Sequence, residues 1–423
     1  MQKSLVTLLG KAVKTAGKLR GGGSALPGLV VERIDPQFIS RTLSQLPQGV
    51  IVVSGTNGKT TTTKMVVELL ESQGMRVFTN RTGSNFTRGV AAALLGDVNM
   101  KGELAADVAV LELDEAHAVH FVKVVQPRYS LLLNVMRDQL DRFGEIDTTA
   151  SMLKAVAEAT TEKVVINRED PRLLRVAKSL PASKVAYFGL DSSLIHLFPN
   201  DDTMRGGETS QHDLPDTVAT LLTVDDKTAR FTLGDKEAFA TLKLEGVYNI
   251  FNAIAAVALT RVVLGATCDE TELVAALESV TPAFGRGESI IIDGQPIELV
   301  LVKNPGGFRL SLSSFSPDGW ASMIAINDNY ADGRDMSWLW DVEFASLKTS
   351  GVDHVSGIRA YDMALRLQYD EVKVRKVEPN LNHALKAFIA DNPNAPKRIF
   401  CTYTAMLALR RELSKLTKVE VIS

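Results

Sequence analysis

The stretch Ser54–Leu70, SGTNGKTTTTKMVVELL, decides how the rest of the sequence is interpreted. It follows a short apolar run, GVIVV at residues 49–53, which predicts a buried strand. It continues into a segment whose apolar residues recur at helical spacing. Glycines in front of a helix let backbone N–H groups approach a phosphate, and the N-terminus of the helix attracts its negative charge. The succession of strand, loop and helix therefore predicts a nucleotide-binding α/β domain.

Each residue type in this loop, GTNGKT at residues 55–60, suits phosphate binding. Lys59 can reach the β- and γ-phosphates of a nucleoside triphosphate, and the Thr60 hydroxyl can bind Mg²⁺. The full P-loop pattern has a further glycine where this chain has Val53, so the loop is a shorter version of it. We therefore predict that ATP and Mg²⁺ bind here. The predicted contacts are Thr56, Asn57, Gly58, Lys59, Thr60 and Thr61.

Four strand-like runs follow, with polar residues at or near their carboxyl ends. They are RVFTN, DVAVLELDE, YSLLLNV and EKVVINREDP. Because strands and helices alternate, we expect a parallel sheet with a ligand site beyond the carboxyl ends of its strands. Mg²⁺ prefers oxygen ligands, so a carboxylate of Glu112, Asp114 or Glu115 is expected there. His117 and His120 lie in no zinc-binding pattern, and we interpret them as structural.

A second alternation of strands and helices begins near residue 289. SIIIDGQPIELVLV predicts a strand pair across Asp293 and Gly294, and SMIAI, VDHVSGI, EVKVRKV, RIFCTYT and KVEVI predict further strands. Residues 188–245 look less regular, apart from the β segments KTARFTL and FATLKL. The predicted fold class is α/β: a P-loop ATPase domain on a parallel sheet, then a Rossmann-like α/β domain. We place an N-terminal helical lead-in at 1–45, the ATP-binding domain at 46–288 and the C-terminal domain at 289–423.

The composition argues against several other classes. The 423 residues carry a net charge of −3, so no broad basic field argues for nucleic acid. The two cysteines, Cys268 and Cys401, are too few for a disulfide framework or a four-cysteine zinc site, which fits a cytoplasmic protein. No apolar run approaches the roughly 20 residues of a membrane span. We expect the N-terminal segment to be a helix packed on the next domain; the alternative is an interfacial helix at the inner face of the plasma membrane.

These motifs resemble the Mur ligases, which use ATP to activate a carboxylate as an acyl phosphate that an amine then attacks. GTNGKT matches the phosphate loop of that family, and VLELDE matches its Mg²⁺ glutamate segment. The resemblance implies that Lys59 and Glu112 are catalytic and that Glu112 binds the metal with Thr60. LLNVMRDQLDRFG resembles a further family segment, but Gln139 replaces the usual histidine, which argues against a second metal there.

Three other segments resemble nucleotide-binding parts of the Mur ligases. GVYNIFNAIAA matches a helix of the family and implies that Asn249 and Asn252 lie near the ATP base. FGRGE implies that Arg286 lies near the phosphates or the ribose. INREDP matches a segment near the nucleotide. These segments occur in the family's order along the chain, which favours the functional interpretation.

The last third departs from the amino-acid-adding Mur ligases. Where those enzymes have a D-x-Y-A-H-x-P stretch, this chain has LVKNPGGF. NDNYADGRDMSWLWD and SGIRAYDMALRLQY instead resemble MurT proteins, the ligase-like subunits of lipid II isoglutaminyl synthase. The resemblance implies ATP-dependent amidation of the α-carboxylate of D-glutamate in the lipid II stem peptide, which gives D-isoglutamine in peptidoglycan biosynthesis. Many MurT proteins carry a four-cysteine zinc ribbon, but residues 188–245 contain no cysteine, so no zinc is predicted.

Ammonia for amidation usually comes from glutamine, which a glutaminase hydrolyses with a cysteine that a histidine and an acid activate. Neither cysteine of this chain has such residues nearby in sequence, so we expect the ammonia to come from another protein. The resemblance implies a separate glutaminase subunit, GatD, in a heterodimer, and an aspartate of this chain that reaches the partner's Cys–His pair. The match falls on Asp335, with Asp332 and Asp341 as competing candidates. NRTGSNFTRG is a candidate surface for the lipid-linked peptide. Its predicted contacts are Arg81, Asn85 and Arg88.

Two alternative functions stay open. An amino-acid-adding ligase of the Mur or folylpolyglutamate type would share the ATP-binding half, although the missing D-x-Y-A-H-x-P stretch argues against it. A non-catalytic ATP-binding scaffold could recruit the glutaminase, but it would not need the full set of predicted ATP-site residues. That set comprises Lys59, Thr60, Glu112, Asn252 and Arg286.

Overall fold

The computed structural model describes most of the chain. The described residues are 7–8, 10–11, 26–80, 86–138, 146–203, 214–244, 246–281, 286–315 and 317–417, without the side chains of residues 26 and 286–288. They divide into two compact units. The first unit falls within Met1–Val135, Asp147–Lys243 and Asn249–Val280, and the second within Met136–Ile146, Leu244–Tyr248 and Thr281–Ser423. The predicted domain boundaries at 45/46 and 288/289 stay a prediction.

The first unit is built on a nine-stranded sheet. Its strands are β1 (Val50–Ser54), β2 (Val77–Thr79), β3 (Val108–Glu112), β4 (Tyr129–Leu132), β5 (Lys163–Asn167), β6 (Val185–Leu190), β7 (Ala219–Asp225), β8 (Thr228–Leu233) and β9 (Lys236–Thr241). They lie in the order β2-β3-β1-β4-β5-β6-β7-β8-β9. The pairs are parallel as far as β7, and β8 and β9 form an antiparallel edge. This confirms the α/β class with a parallel sheet.

Thirteen helices are described along the chain. They are α1 (Leu26–Ile34), α2 (Phe38–Leu43), α3 (Lys59–Ser72), α4 (Thr87–Asp97), α5 (Glu115–Val122), α6 (Ile146–Ala159), α7 (Pro171–Lys178), α8 (Val247–Leu264), α9 (Glu270–Ser279), α10 (Pro305–Ser314), α11 (Ala360–Tyr369), α12 (Leu381–Asp391) and α13 (Tyr403–Leu413). Short 3₁₀ helices lie at Ala182–Lys184, Ser192–Leu197, Gly265–Thr267, Ser337–Asp341 and Ala345–Leu347.

Strand β1 occupies the middle of the first sheet and is buried along its whole length. Its neighbours are β3 on one side and β4 on the other. The chain runs from β1 to β2 on one side of it, and from β4 to β5 on the other. Connections that leave in opposite directions open a crevice beyond the carboxyl ends of the two strands, where ligands of such sheets bind. The loop that follows β1 therefore lies at the expected ligand site.

The second unit has a six-stranded sheet of its own. Its strands are β10 (Arg286–Ile292), β11 (Gln295–Leu301), β12 (Ala321–Ala325), β13 (Val352–Ser356), β14 (Val374–Glu378) and β15 (Lys397–Cys401), in the order β10-β11-β15-β12-β13-β14. All pairs are parallel except the β10–β11 hairpin. Asp293 and Gly294 both have positive φ, 51° and 78°, as a tight two-residue turn of the I′ type requires. The predicted strand pair and the Rossmann-like second unit are confirmed.

The two faces of this second sheet bury different residues, as the alternation of side chains along a strand requires. Ile324 of β12 lies in a core with Phe308, Trp338 and Phe344, while its neighbour Met323 lies in a core with Phe388. Cys401 at the end of β15 belongs to the second core and is fully buried. Cys268, in the first unit, is half-buried, and both thiols are free.

Several elements were not predicted from the sequence. β6 and β7 lie where we expected less regular structure. Helix α10 begins with Pro-Gly-Gly, a poor helix sequence, but Asn304 accepts a hydrogen bond from the Gly307 N–H (2.7 Å), and Pro305 suits the first helical position. Local capping therefore outweighs the low helix propensity. The predicted strand KVEVI, residues 418–422, lies outside the described residues.

We expected no segment of the chain to be long and apolar enough to span a membrane, and this expectation was wrong for the segment that contains helix α8. Residues Val247–Thr267 meet that test by length and composition. Ten residues between Ile250 and Thr260 are nevertheless buried inside the protein. We therefore interpret α8 as a core helix of the fold.

The few described residues of the N-terminal lead-in contact the first unit. The Lys11 ammonium donates a hydrogen bond to the carbonyl of Val98 (2.6 Å). Gly10 approaches Leu95 and Val31 so closely that a β-carbon there would lie 2.6 Å and 2.8 Å from their side chains. Helix α1 packs on α4, where Gly28 approaches the carbonyl oxygen of Arg88. These contacts favour the packed helix over the interfacial one.

Candidate active site

Two glycines give the loop after β1 its shape. Gly55 has φ +131°, and a β-carbon there would lie 3.0 Å from the backbone nitrogen of Asn134. Gly58 has φ +88°, and a β-carbon there would lie 2.6 Å from Oδ1 of Asn252. L-residues rarely adopt these φ values, and a β-carbon would also crowd the Asn134 backbone at Gly55 and displace the Asn252 side chain at Gly58. The loop therefore depends on glycine at both positions, and Asn252 from α8 packs directly over Gly58.

Asn134 holds the loop in place from the end of β4. The Asn57 N–H donates to its Oδ1 (2.9 Å), and its Nδ2 donates to the Asn57 carbonyl (3.0 Å). The Thr56 N–H donates to the backbone carbonyl of Asn134 (3.0 Å). Three hydrogen bonds thus join the loop to the neighbouring strand. We did not single out this asparagine from the sequence, although the polar end of YSLLLNV was its signal.

The first two residues of α3 carry the predicted phosphate and metal contacts. The Lys59 ammonium is buried and donates to the carbonyl oxygens of Gly55 (2.6 Å) and Thr56 (3.3 Å). It also forms an ion pair with Glu115 Oε2 (3.2 Å). The Thr60 hydroxyl donates to Glu112 Oε1 (2.8 Å). The structure therefore brings Lys59, Thr60 and Glu112 together at the carboxyl ends of β1 and β3.

Glu112 is held by its backbone as well as by its side chain. Asn80, directly after β2, accepts from the Glu112 N–H (3.0 Å) and donates to the Glu112 carbonyl (2.8 Å). Asn80 is itself buried. This clamp fixes the carboxyl end of β3, so the Glu112 carboxylate points to the loop from a rigid support.

The oxygen atoms of Thr60 and Glu112 fit a magnesium ion. Mg²⁺ takes oxygen ligands and keeps several waters, so one hydroxyl and one carboxylate beside the nucleotide phosphates are a usual protein share. Among the residues that the structure describes, no group of three or more His, Cys, Asp or Glu side chains is placed to hold a metal. The His117 ring packs against Phe86, with centroids 5.7 Å apart. The expected absence of zinc stays a prediction.

The remaining predicted ATP-site residues are placed as follows. Thr61 is buried in the first turn of α3. Asn249 is half-buried, one helical turn before Asn252 on α8. Arg286 begins β10 in the second unit, and its side chain lies outside the described structure. The roles of these residues stay predictions.

Of the three predicted peptide-binding residues, one is described. Arg81 and Asn85 lie outside the described residues. Arg88 lies in the first turn of α4, where its exposed side chain forms an ion pair with Glu32 of α1 (2.8 Å). Its proposed role in binding the lipid-linked peptide stays a prediction.

The INREDP segment contributes a buried carboxylate beside the site. Asp170 caps α7 and accepts hydrogen bonds from the N–H groups of Val135 (2.6 Å), Arg172 (2.9 Å) and Leu173 (3.1 Å). Burial raises the pKa of Asp170 to about 6, against the opposing effect of these backbone donors. Because Val135 follows Asn134 in the chain, Asp170 braces the segment that anchors the loop.

In the second unit, the three candidate aspartates differ in how they are bound. Asp332 is buried, and its two carboxylate oxygens accept from Thr404 and from the Asn329 N–H. Asp335 is half-buried, and one of its oxygens accepts from the Ser337 N–H (2.9 Å) at the start of a 3₁₀ helix. Asp341 is exposed. Asp332 is thus committed to the fold, whereas Asp335 keeps capacity for a further partner.

Comparisons with known proteins agree with this geometry. A family model described as the Mur ligase middle domain matches residues 53–260, and one described as MurT ligase C-terminal matches residues 301–406. The chain is 30% identical to the lipid II isoglutaminyl synthase (glutamine-hydrolyzing) subunit MurT of Streptococcus pneumoniae, over 98% of this chain and 97% of the relative. It is 28% identical to the subunit of that name from Staphylococcus aureus strain COL, over 88% and 87%.

Solved structures share the fold at low identity. MurF from Acinetobacter baumannii superposes with a TM-score of 0.68 at 19% identity, covering 92% of this chain and 81% of that one. The MurF ligase of Thermotoga maritima, solved in complex with ADP, gives a TM-score of 0.65 at 18% identity, covering 90% and 84%.

The residues that the Mur ligase middle domain matches include the short phosphate loop and the Thr60–Glu112 pair, and the protein is a ligase of this class. The match extends through the second unit to the MurT type of C-terminal domain. The chain belongs to the MurT family.

Proposed function

We propose that this chain is the ATP-dependent ligase subunit that amidates the α-carboxylate of D-glutamate in the lipid II stem peptide, giving D-isoglutamine during peptidoglycan biosynthesis. The observation that carries the proposal is the convergence of Lys59, Thr60 and Glu112 beyond β1 and β3. It occurs in a chain similar over nearly its whole length to a protein named as a subunit of lipid II isoglutaminyl synthase.

The chemistry begins with a poor electrophile, because a carboxylate has no good leaving group. Transfer of the γ-phosphoryl group of ATP to a carboxylate oxygen gives an acyl phosphate and ADP. Ammonia then attacks the carbonyl carbon, the C–O bond to phosphate breaks, and the nitrogen loses a proton to give the amide and inorganic phosphate. The products balance without an oxidant or reductant.

The site residues have distinct tasks in this sequence. The Lys59 ammonium would donate to the oxygens of the transferring phosphoryl group, where charge develops. The Thr60 hydroxyl and the Glu112 carboxylate would hold Mg²⁺, which neutralises phosphate charge when bound. Gly55 and Gly58 leave room for backbone N–H groups to approach the phosphates. Asn252 would contact the nucleotide beside Gly58.

Ammonia requires a second protein, and we propose a GatD-type glutaminase subunit in a heterodimer. A glutaminase cysteine must react as a thiolate. Cys401 is fully buried and Cys268 is half-buried, and burial raises the pKa of both thiols. Neither is therefore suited to be the nucleophile. Asp335, with an oxygen available beside its bond to Ser337, is the residue we propose to orient the partner's catalytic Cys–His pair.

An exposed apolar face of α11 supports the proposal of a glutaminase partner and indicates where that partner docks. Tyr361, Leu365 and Tyr369 follow one another at intervals of four on α11, and each is more than half exposed. Trp340 packs edge-on against Tyr369, with ring centroids 5.6 Å apart. Single proteins rarely expose contiguous apolar patches of several such side chains, whereas protein interfaces contain them. We propose that the glutaminase subunit covers this face.

The same face is continuous with the segment that carries Asp335. The Arg366 guanidinium on α11 donates to the carbonyl oxygens of Leu339 (3.3 Å) and Val342 (2.6 Å). These bonds attach the 3₁₀ helix Ser337–Asp341 to α11, and Asp335 accepts a hydrogen bond from the N–H of Ser337, the first residue of that helix. A subunit docked on α11 would thus lie beside Asp335. Leu365→Asp should abolish co-purification with the glutaminase, while Phe239→Asp, at a similarly exposed residue of the first unit, should not.

The experiment that tests the function uses the purified chain with lipid II, Mg-ATP and ¹⁵N-ammonium. We expect mass spectrometry to show the label in the stem peptide, and Lys59→Ala to abolish its incorporation. With glutamine in place of ammonium, we expect amidation only when the glutaminase subunit is added, and Asp335→Ala should abolish this glutamine-driven reaction alone. Incorporation of an added amino acid instead of ammonia would identify an amino-acid-adding ligase. ATP binding without any product, with the glutaminase present, would indicate a scaffold.

We also propose that the protein works in the cytoplasm, at the inner face of the plasma membrane, because its proposed substrate is anchored in lipid. Flotation with lipid II-containing vesicles and with plain anionic vesicles would test this. Binding that requires lipid II would indicate recruitment by the substrate. Binding to plain anionic vesicles would indicate a membrane contact of the protein itself.

A further inference from the structure

One short segment of the first unit, residues 112–115, contains two carboxylates that bond to two consecutive residues of the loop. Its first residue, Glu112, accepts from the Thr60 hydroxyl. Its last residue, Glu115, forms the ion pair with Lys59. The predicted metal ligand Thr60 and the predicted phosphate ligand Lys59 are thus both bonded to this segment. Only the first of the two carboxylates has a role in the proposed chemistry so far.

The Lys59–Glu115 pair is removed from solvent. The side chains are 5% and 2% exposed, and the nitrogen–oxygen distance is 3.2 Å. Taking two charges out of water is unfavourable unless they are paired and hydrogen-bonded, and here the ammonium also donates to the carbonyls of Gly55 and Thr56. The ammonium thus has one carboxylate and two carbonyl oxygens as partners. The pair therefore fixes the head of a long, flexible side chain.

The position of Glu115 has a simpler explanation that the burial argues against. An acidic residue at the start of a helix is favoured by the helix dipole, and Glu115 is the first residue of α5. Such residues gain this interaction while they stay in water. A carboxylate that is almost fully buried and bonded to Lys59 has a specific partner instead.

We propose that Glu115 is a positioning residue for Lys59, whose ammonium group it holds in place beside the loop for the phosphates of ATP. The inference rests on the proposed function only in that it requires ATP to bind at this loop. A flexible lysine loses side-chain freedom when it binds a phosphate, and a lysine already fixed in the fold loses less. Glu115 therefore acts on nucleotide binding through Lys59 and does not contact the nucleotide or the metal.

The test is equilibrium binding of ATP to the full chain, measured both with Mg²⁺ and in EDTA. We expect Glu115→Gln to weaken ATP binding about tenfold in both conditions, and Glu115→Asp, which keeps the charge, to recover part of the loss. In a Lys59→Met background, Glu115→Gln should weaken binding no further, because the residue it positions is gone. Glu298→Gln is the matched control, since it breaks another largely buried ion pair, to Arg398, in the second unit.

Three results would overturn the inference. A loss confined to Mg²⁺ would make Glu115 a metal ligand. An equal loss in the Lys59→Met background, or with Glu298→Gln, would make its role structural. Tighter ATP binding by Glu115→Gln would mean that the carboxylate competes with phosphate. Thermal unfolding verifies that each variant is folded, and Glu115→Asp keeps the test available if Glu115→Gln is not. Because only ATP binding is measured, a failure of lipid II amidation would leave the result intact.

Discussion

Replacement of Asn134 by alanine tests whether the end of β4 holds the phosphate loop in its binding shape. The side chain forms two hydrogen bonds with the backbone of Asn57, one donated and one accepted. Alanine removes both but leaves the third bond, from the Thr56 N–H to the backbone carbonyl of residue 134. We therefore expect a loop that stays attached but samples other conformations.

The expected loss of ATP affinity follows from the two hydrogen bonds that Asn134→Ala removes. A hydrogen bond contributes a net of about 0.5–1.5 kcal/mol, so the two together contribute about 1–3 kcal/mol. Since about 1.4 kcal/mol is a factor of ten, the loss of ATP affinity should be between about 5-fold and 150-fold, with about 30-fold as the central expectation. Part of the same free energy will appear as lower stability of the first unit.

The chain contains a matched control for this stability effect. Asn327, after strand β12 in the second unit, donates to the Thr404 hydroxyl (3.0 Å) and accepts from the Ile358 N–H (3.0 Å). Asn327→Ala thus also removes one donated and one accepted hydrogen bond, in the unit that does not contain the loop. Calorimetric titration with Mg-ATP, beside thermal unfolding, should show similar destabilisation of both variants and weakened binding for Asn134→Ala alone. Wild-type affinity in Asn134→Ala, or equal losses in both, would refute the anchoring role.

Three other perturbations have defined outcomes. Gly58→Ala should weaken ATP binding at least tenfold, because alanine is strained at φ +88° and its β-carbon, 2.6 Å from Asn252 Oδ1, would displace that side chain; wild-type titration curves would contradict this. Thr60→Val should raise the Mg²⁺ concentration for half-maximal ATP turnover by about tenfold, and Thr60→Ser should restore it. The pKa of Asp170 is about 6 in the folded protein, compared with about 4 in the unfolded chain. Protonated Asp170 therefore favours folding. That contribution, ~3 kcal/mol, is complete below about pH 4 and is lost as the pH rises through 6. Urea unfolding from pH 4 to 7 should therefore show a flatter profile for Asp170→Asn, and an unchanged profile would contradict the assignment.

The parts of the fold that the sequence predicted are those with a strong local signal. The structure contains the strand predicted from the apolar run before the loop and the turn at Asp293 and Gly294. It also contains the sheet predicted from the alternation of strands and helices in the last third of the chain. β6 and β7 gave a weaker signal, because β6 is only half-buried at its start and β7 alternates partly exposed residues. Their place in the sheet is set by pairing with β5 and with the β8 edge, which no local window of sequence contains.

The candidate site likewise contains some residues that were predicted from a local sequence signal and others that were not. Lys59, Thr60 and Glu112 were predicted from a contiguous loop and from one strand end, and the structure brings them together. Asn80 and Asn134 were not singled out, since an asparagine after a strand has no chemistry of its own to mark it. Their importance arises from the order of the strands, which places β2, β3, β1 and β4 side by side. Only that order brings each asparagine to the backbone it fixes.

The two thiols lie in different units, so their reaction with an alkylating reagent can report on the opening of each unit. Cys268 lies half-buried in the first unit, and Cys401 is enclosed in the sheet core of the second. Alkylation needs a thiolate and an open path, so the native chain should be modified slowly at Cys268 and be resistant at Cys401. The mass gained over time therefore records how often each half of the molecule opens, with no engineered label.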